Sequence, residues 1–285
     1  MQSHASMPFA EALGGNILRI WFTPRDAQNR SHLAWLEIDI AAPQDVKRLA
    51  RRPTLAPGPE GAFDDKGAMG SWLVRHGGER RHYYIGWTQS GANPFHVAIG
   101  LAAASDDGTD FSRRGSGPVL DRSAADPVMV STPCVLVERG RWRMWYLSVT
   151  GWPDKTQPPN YDLRHAVSGD GLSWTPDPTP CIAVSHPGEC AIARPSVIRD
   201  KDGWRMWYSY RGMDFPYRIG CAESRDGVSW ARRDEMTGIA ASDSGWDDAM
   251  IAYPFVFDHA GGRYMLYAGN GFGREGMGLA ILEQD

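Results

Sequence analysis

One pattern returns five times along this chain, and a chain built that way buries its apolar surface by stacking its repeats. Pro8, Trp72, Pro133, Pro195 and Pro254 each open a short apolar run: PFAEAL, WLVRH, PCVLVE, PSVIRD and PFVFDH. The openings lie about 60 residues apart, the scale of one supersecondary unit per repeat. A glycine-bearing turn follows each run, at Gly14-Gly15, Gly77-Gly78, Gly140, Gly203 and Gly261-Gly262, and reads as a hairpin connection. An aromatic strand comes next, carrying Trp21, Tyr84, Tyr146, Tyr208 or Tyr267 in RIWF, HYYIGW, RMWYLS, RMWYSY and YMLYAG. Bulky rings at such positions fill the space between neighbouring sheets.

A third segment ends in S-x-D-G-x-x-aromatic, from Ser105 to Phe111, Ser168 to Trp174 and Ser224 to Trp230. The Asp accepts backbone N–H bonds and the Gly takes a left-handed angle, so the motif closes a tight hairpin. Fourth strands are expected in GPVL before Asp121 and in TGIAAS before Asp243. Five four-stranded units around an axis make an all-β, five-bladed β-propeller, one domain over residues 1–285. Asp45 to Arg52 predicts at most a turn or two of helix. Blade five shows three strands, and Gln2 to Met7 are the candidates for its fourth.

The five repeats, their R-M-W-Y strands and their S-x-D-G-x-x-W turns resemble the five-bladed propellers of the glycoside hydrolase clans that contain families 32, 43, 62, 68 and 130. The resemblance runs from Pro8 to Leu282 and rests on structural motifs, so it implies architecture before chemistry. In family 43 an aspartate base, an orienting aspartate and a glutamate acid come from consecutive blades. Many members of family 130 use phosphate in place of water.

Acidic residues stand ahead of four of the five openings: Asp64-Asp65, Asp126, Glu189 and Asp247-Asp248. Glycoside hydrolysis needs one protonated and one ionised carboxyl, and crowded carboxylates push their pKa values apart. On the order seen in family 43, the resemblance implies Glu189 as general acid with Asp65 and Asp126 as base and orienting group. The competing reading makes these acids caps of turns. Met7, Ser71, Thr132, Arg194 and Tyr253, each one residue before an opening, should face the axis. Arg194 there either binds an anionic substrate group or neutralises the acids. Asp247, Asp248, Tyr253, Trp152, His96, Arg211, Arg218 and Arg274 are further candidates for substrate contact, although most tryptophans here belong to blade cores and a lone histidine is more often an ordinary loop residue.

A formal net charge of -4 provides no basic field for a nucleic acid. No apolar run is long enough to span a membrane and Met1 to Ala10 do not read as a signal peptide, so a cytoplasmic location is expected. Cys134, Cys181, Cys190 and Cys221 show no zinc-ligand spacing and read as buried free thiols. GNGFGREG, from Gly269, lacks the strand-to-helix context of a nucleotide fingerprint, and no cofactor or metal is expected. The expected partner is a small-molecule or oligosaccharide substrate, and the expected function a glycoside hydrolase-like enzyme acting on a carbohydrate or glycosylated small molecule through an acidic axial funnel, the alternatives being a glycoside phosphorylase or biosynthetic enzyme on the same fold, or a non-catalytic carbohydrate-binding propeller. The oligomeric state is left open.

Overall fold

The computed structural model describes residues 1–89, 91, 93–152 and 154–283. Its strands follow chain order within each blade, from the axis outward. Blade one is β1 (Ser3–Gly14), β2 (Ile17–Arg25), β3 (Ala34–Asp39) and β4 (Ala42–Leu49). Blade two is β5 (Gly67–His76), β6 (Glu79–Thr88), β7 (His96–Ser105) and β8 (Ser112–Arg113). Blade three is β9 (Met129–Glu138), β10 (Arg141–Gly151), β11 (Asn160–Ser168) and β12 (Thr175–Pro176). Blade four is β13 (Glu189–Arg199), β14 (Trp204–Gly212), β15 (Arg218–Ser224) and β16 (Ala231–Arg232). Blade five has β17 (Ala252–His259), β18 (Gly262–Ala268) and β19 (Met277–Ile281). This is a five-bladed β-propeller.

The five inner strands share an irregularity at the same place. Pairing with the second strand shifts between Ser6 and Phe9, Met69 and Trp72, Ser131 and Cys134, Ala193 and Ser196, and Ala252 and Phe255. These are β-bulges, which bend a strand and re-aim its side chains. At four of them Met7, Thr132, Arg194 and Tyr253 sit at positive φ, between 45° and 60°, a costly conformation for residues other than glycine. Hydroxyls near the bulges accept nearby backbone N–H groups. Gly70 donates to Thr23 Oγ1 at 2.8 Å, Tyr253 to Ser209 Oγ at 2.7 Å and Arg194 to Thr132 Oγ1 at 3.2 Å.

The S-x-D-G turns fasten one blade to the previous one. Asp170 Oδ1 accepts from the N–H groups of Leu172 and Ser173, and Gly171 has φ 74°. The Gly171 carbonyl takes the Tyr83 hydroxyl at 2.7 Å and the Gly227 carbonyl takes Trp145 Nε1 at 2.8 Å. The motif aromatics Phe111, Trp174 and Trp230 meet Trp21, Tyr83 and Trp145 with ring centroids 5.4, 5.9 and 6.3 Å apart. The four cysteines are free and buried.

Three expectations need correction. Asp45 to Arg52 lie mainly in β4, whose residues from Pro43 onward are exposed at the propeller rim. The fourth strands of blades two to four are two-residue pairings at Ser112, Thr175 and Ala231, because the S-x-D-G turn sends the chain straight back along the third strand. Val119 and Leu120 contribute only bonds to Ile99, and residues 237–242 form no strand. Finally, Ser3 to Gly14 form the innermost strand of blade one and pair with β2. Blade five keeps three strands, and its meeting with blade one carries no sheet pairing among the described residues.

Candidate functional site

The acids ahead of the inner strands share one environment. Asp64, Asp126 and Asp247 are buried and accept a hydroxyl from the tyrosine 20 residues later: Tyr84 at 2.8 Å, Tyr146 at 2.9 Å and Tyr267 at 2.9 Å. Arg113 of β8 pairs with Asp64 at 2.6 Å. Its counterpart in β16, Arg232, holds both oxygens of Glu189 at 2.8 and 2.9 Å. Glu189 Oε2 also accepts the N–H groups of Ser185 and His186, and the Glu189 side chain is fully covered. Each acid therefore ties the loop entering a blade to that blade's second or fourth strand.

These contacts favour the turn-capping reading of Asp126, Glu189 and Asp247 over the catalytic roles and substrate contact expected of them. Glu189 is spent on four N–H donors, and Asp126 and Asp247 are covered and bonded to tyrosines. Asp65 differs. Thr88 donates to it at 2.7 Å and the Gly61 N–H at 3.1 Å. Partial burial pushes its pKa up, but these bonds and nearby Lys66 outweigh that and leave it lowered. Asp65 is thus held as a carboxylate in the turn that leads into β5.

Arg194 is likewise engaged within the scaffold. It is fully buried, and its guanidinium crosses the axis to donate to Ser71 O at 2.8 Å, Ser71 Oγ at 2.6 Å and Pro8 O at 3.3 Å. With no surface left for a ligand, it laces blade four to blades one and two. Trp152 is also buried, with Nε1 on Gln157 O at 2.7 Å and its ring against Phe95. His96 pairs with Asp121 at 2.8 Å. Arg218 donates to the carbonyls of Tyr217 and Ala249. Asp248 accepts Asn270 Nδ2 at 2.8 Å and so helps hold the turn described next.

The structure brings together a different set. Blades four, five and one converge at the strand-start end of the axis. Tyr253 and Phe272 stack with centroids 6.4 Å apart, and Tyr217 lies 5.8 Å from Tyr253 and 6.1 Å from Phe272. Arg211 lies over the rings of Tyr161 and Tyr217 at 5.2 and 5.7 Å and reaches Cys190 Sγ at 3.0 Å. Phe272 is 46% exposed at φ 62°. It belongs to the turn Asn270–Gly273, fixed by buried Asn270, whose Oδ1 accepts the N–H groups of Ala249 and Met250. Gly273 rests against Ala5 and Ser6 of β1, so closely that a Cβ there would meet backbone at 3.0 Å. His4, Arg25 and Arg274 stand at the same junction. Partial burial first, and then both guanidiniums, lower the pKa of His4.

Of the expected substrate contacts, Tyr253, Arg211 and Arg274 belong to this cluster. Sequence reasoning missed His4, Arg25, Tyr161 and Phe272. A signal for Arg25 was present: RIWFTPR and RMWYSYR both place an arginine four residues after a tryptophan, which puts Arg25 and Arg211 at matching ends of β2 and β14.

The larger open spaces lie elsewhere. A groove of about 990 Å³ runs beside Trp204, Trp230, Asp200, Asp226 and Arg263, and Arg263 is already paired with Asp200 at 2.7 Å. At the far end of the axis a mainly apolar space of about 520 Å³ lies among Trp72, Leu136, Val197 and Phe255.

No known family profile matches the chain. Two proteins of Mycobacterium tuberculosis do, the uncharacterized protein MT1551 of strain CDC 1551 / Oshkosh and the uncharacterized protein Rv1502 of strain ATCC 25618 / H37Rv. Each is 41% identical over 282 residues, covering 99% of this chain and 93% of the relative. The chain belongs to their family. Solved structures then place this Rv1502 family within the architecture of the glycoside hydrolase propellers. A structure described as a glycoside hydrolase matches with a TM-score of 0.79 at 18% identity, over 99% of this chain and 88% of its own. A thermostable family-43 glycoside hydrolase matches at 0.75 with 14% identity, over 99% and 91%. The GH32 β-fructofuranosidase BmSUC1 of Bombyx mori matches at 0.67 with 13% identity, over 99% and 62%. Identities this low show the fold and no more.

Proposed function

We propose that the protein is a carbohydrate-recognising propeller whose ligand sits on Tyr253 and Phe272 at the strand-start end of the axis. The observation that carries this reading is Phe272, a large apolar ring held in solvent at a backbone angle few residues adopt. Strain of this kind costs about 1–3 kcal/mol and persists where the surrounding structure imposes it. An exposed aromatic face beside a tyrosine suits the apolar face of a pyranose, with arginines and hydroxyls at the edge for its oxygens. The glycoside hydrolases that share this fold make a saccharide the natural ligand class.

A screen of immobilised glycans followed by titration calorimetry tests the reading. Binding is expected, with Phe272→Ala weakening it at least about tenfold, roughly 1.4 kcal/mol, and Phe272→Trp retaining it. Absence of binding to any saccharide, or equal affinity in Phe272→Ala, overturns it.

Hydrolysis is a second reading, favoured by Asp65, a carboxylate that accepts from Thr88 and the Gly61 N–H ahead of β5 and is of the kind a base or nucleophile requires. Turnover of aryl glycosides that falls about a hundredfold in Asp65→Asn supports it, and turnover unaffected by that change rejects it.

A further inference from the structure

Several arginines of this propeller that lie on the blade faces are matched by carboxylates. Arg19 pairs with Glu37 at 2.8 Å, Arg80 with Glu11 at 2.9 Å, Arg113 with Asp64 at 2.6 Å, Arg232 with Glu189 at 2.8 Å and Arg263 with Asp200 at 2.7 Å. At the proposed carbohydrate site no carboxylate takes that part. Among the described residues, Arg25, Arg211 and Arg274 form no ion pair with a carboxylate. Arg25 donates to the Asn29 side-chain oxygen at 2.8 Å, and Arg211 to Tyr161 Oη, Cys190 Sγ and the Pro159 carbonyl. The carboxylate next in sequence, Asp26, is taken by Arg30 at 2.8 Å and His32 at 3.0 Å. Three arginines from blades one, four and five thus stand without a carboxylate partner at the junction where Gly273 packs on β1 and Ser3 pairs with Arg25.

Like charges held together cost energy unless something of opposite sign joins them. The cost is visible here: Arg25 has its pKa lowered, first by burial, with Arg274 contributing, and His4 is lowered beside both. Guanidiniums favour oxyanions, which accept their planar forks of N–H donors.

We propose that the ligand of this site is an anionic saccharide whose phosphate or carboxylate is held by Arg25, Arg274 and His4, with its sugar ring on Phe272 and Tyr253. This deepens, and rests on, the carbohydrate reading. Phosphate and carboxylate share the chemistry of a small oxyanion on a sugar. The charged groups that reach His4 are Arg25 and Arg274. An arriving anion favours its imidazolium, so the affinity for a hexuronic acid, whose carboxylate stays ionised, should rise as pH falls from about 7.5 to about 5.5.

Calorimetry with neutral hexoses, their 1- and 6-phosphates, hexuronic acids and inorganic phosphate tests the proposal. Tighter binding of the phosphates or of the uronic acids than of the parent hexose, by about tenfold or more, identifies the source of the anion. Arg25→Gln and Arg274→Gln should each erase most of that gain while leaving the melting temperature close to that of the parent protein. The gain should also shrink as salt rises from about 0.05 to about 0.5 M. Equal affinity for neutral and charged forms, with Phe272→Ala still weakening both, overturns the anionic assignment and leaves the carbohydrate reading standing. Binding of inorganic phosphate with no added affinity from any sugar supports the anion site and overturns the carbohydrate reading. No binding of any of these overturns both.

Discussion

A carboxylate buried among β-strands has to find donors, and the tyrosine hydroxyls of the second strands supply them. The bond is charge-assisted, in the range of about 1.5–3 kcal/mol. The clasps differ in how much remains once the tyrosine is taken away. Asp64 keeps Arg113 at 2.6 Å, whereas Asp126 keeps only Ser123 Oγ at 3.4 Å and Arg164 at 3.9 Å. Tyr146→Phe should therefore cost more than Tyr84→Phe, by about 1 kcal/mol, read as the difference in urea unfolding midpoints at unchanged slope. Equal losses would mean that the arginine does not share the load. The acids were visible in the sequence and so were the tyrosines. Their pairing was not read, because an aromatic residue in a strand looks like core whether or not its hydroxyl has a task. Catalytic acids and clasping acids have the same composition and similar spacing, and only burial and the donor set separate them.

At the level of the strand, the inner strands are informative because each carries the same bulge. The residue ahead of each opening was legible as the one facing the axis, since Pro8, Pro133, Pro195 and Pro254 mark the register. What Arg194 does there was not legible, because one guanidinium can bind a ligand or two carbonyls equally well. Its bonds to Ser71 and Pro8 place it with the scaffold. Arg194→Met keeps much of the volume and leaves those carbonyls without their donor. It should lower stability by about 2–4 kcal/mol while the folded protein binds saccharide as the parent does, as measured by denaturant unfolding alongside calorimetry. Lost affinity in a fully folded Arg194→Met protein would return Arg194 to the site. The outer strands were hard to read for a plain reason: two-residue pairings such as Ala231–Arg232 are too short to show alternation, and β4 alternates polar residues with little apolar signal.

Across the whole molecule the ring is uneven. Blades three and four are joined by a parallel bridge between Tyr161 and Ala191, while among the described residues blades five and one share no strand pairing and meet through side chains and the Gly273 contact. Amides of β17 to β19 should therefore exchange with deuterium faster than those of β9 to β11, by about tenfold or more, in a peptide-resolved exchange experiment. Uniform protection would show that packing at that junction is as firm as pairing. The turn carrying Phe272 spans this junction, with Tyr253 behind it and β1 in front. A molecule gripped there from both sides would hold the two ends of the chain together, adding about 2.7 kcal/mol at a hundred times its dissociation constant. Proteases sample the opened ring, so the turnover of the protein would follow the supply of its ligand: molecules left empty would be cleared first, and abundance itself would report whether the sugar is present.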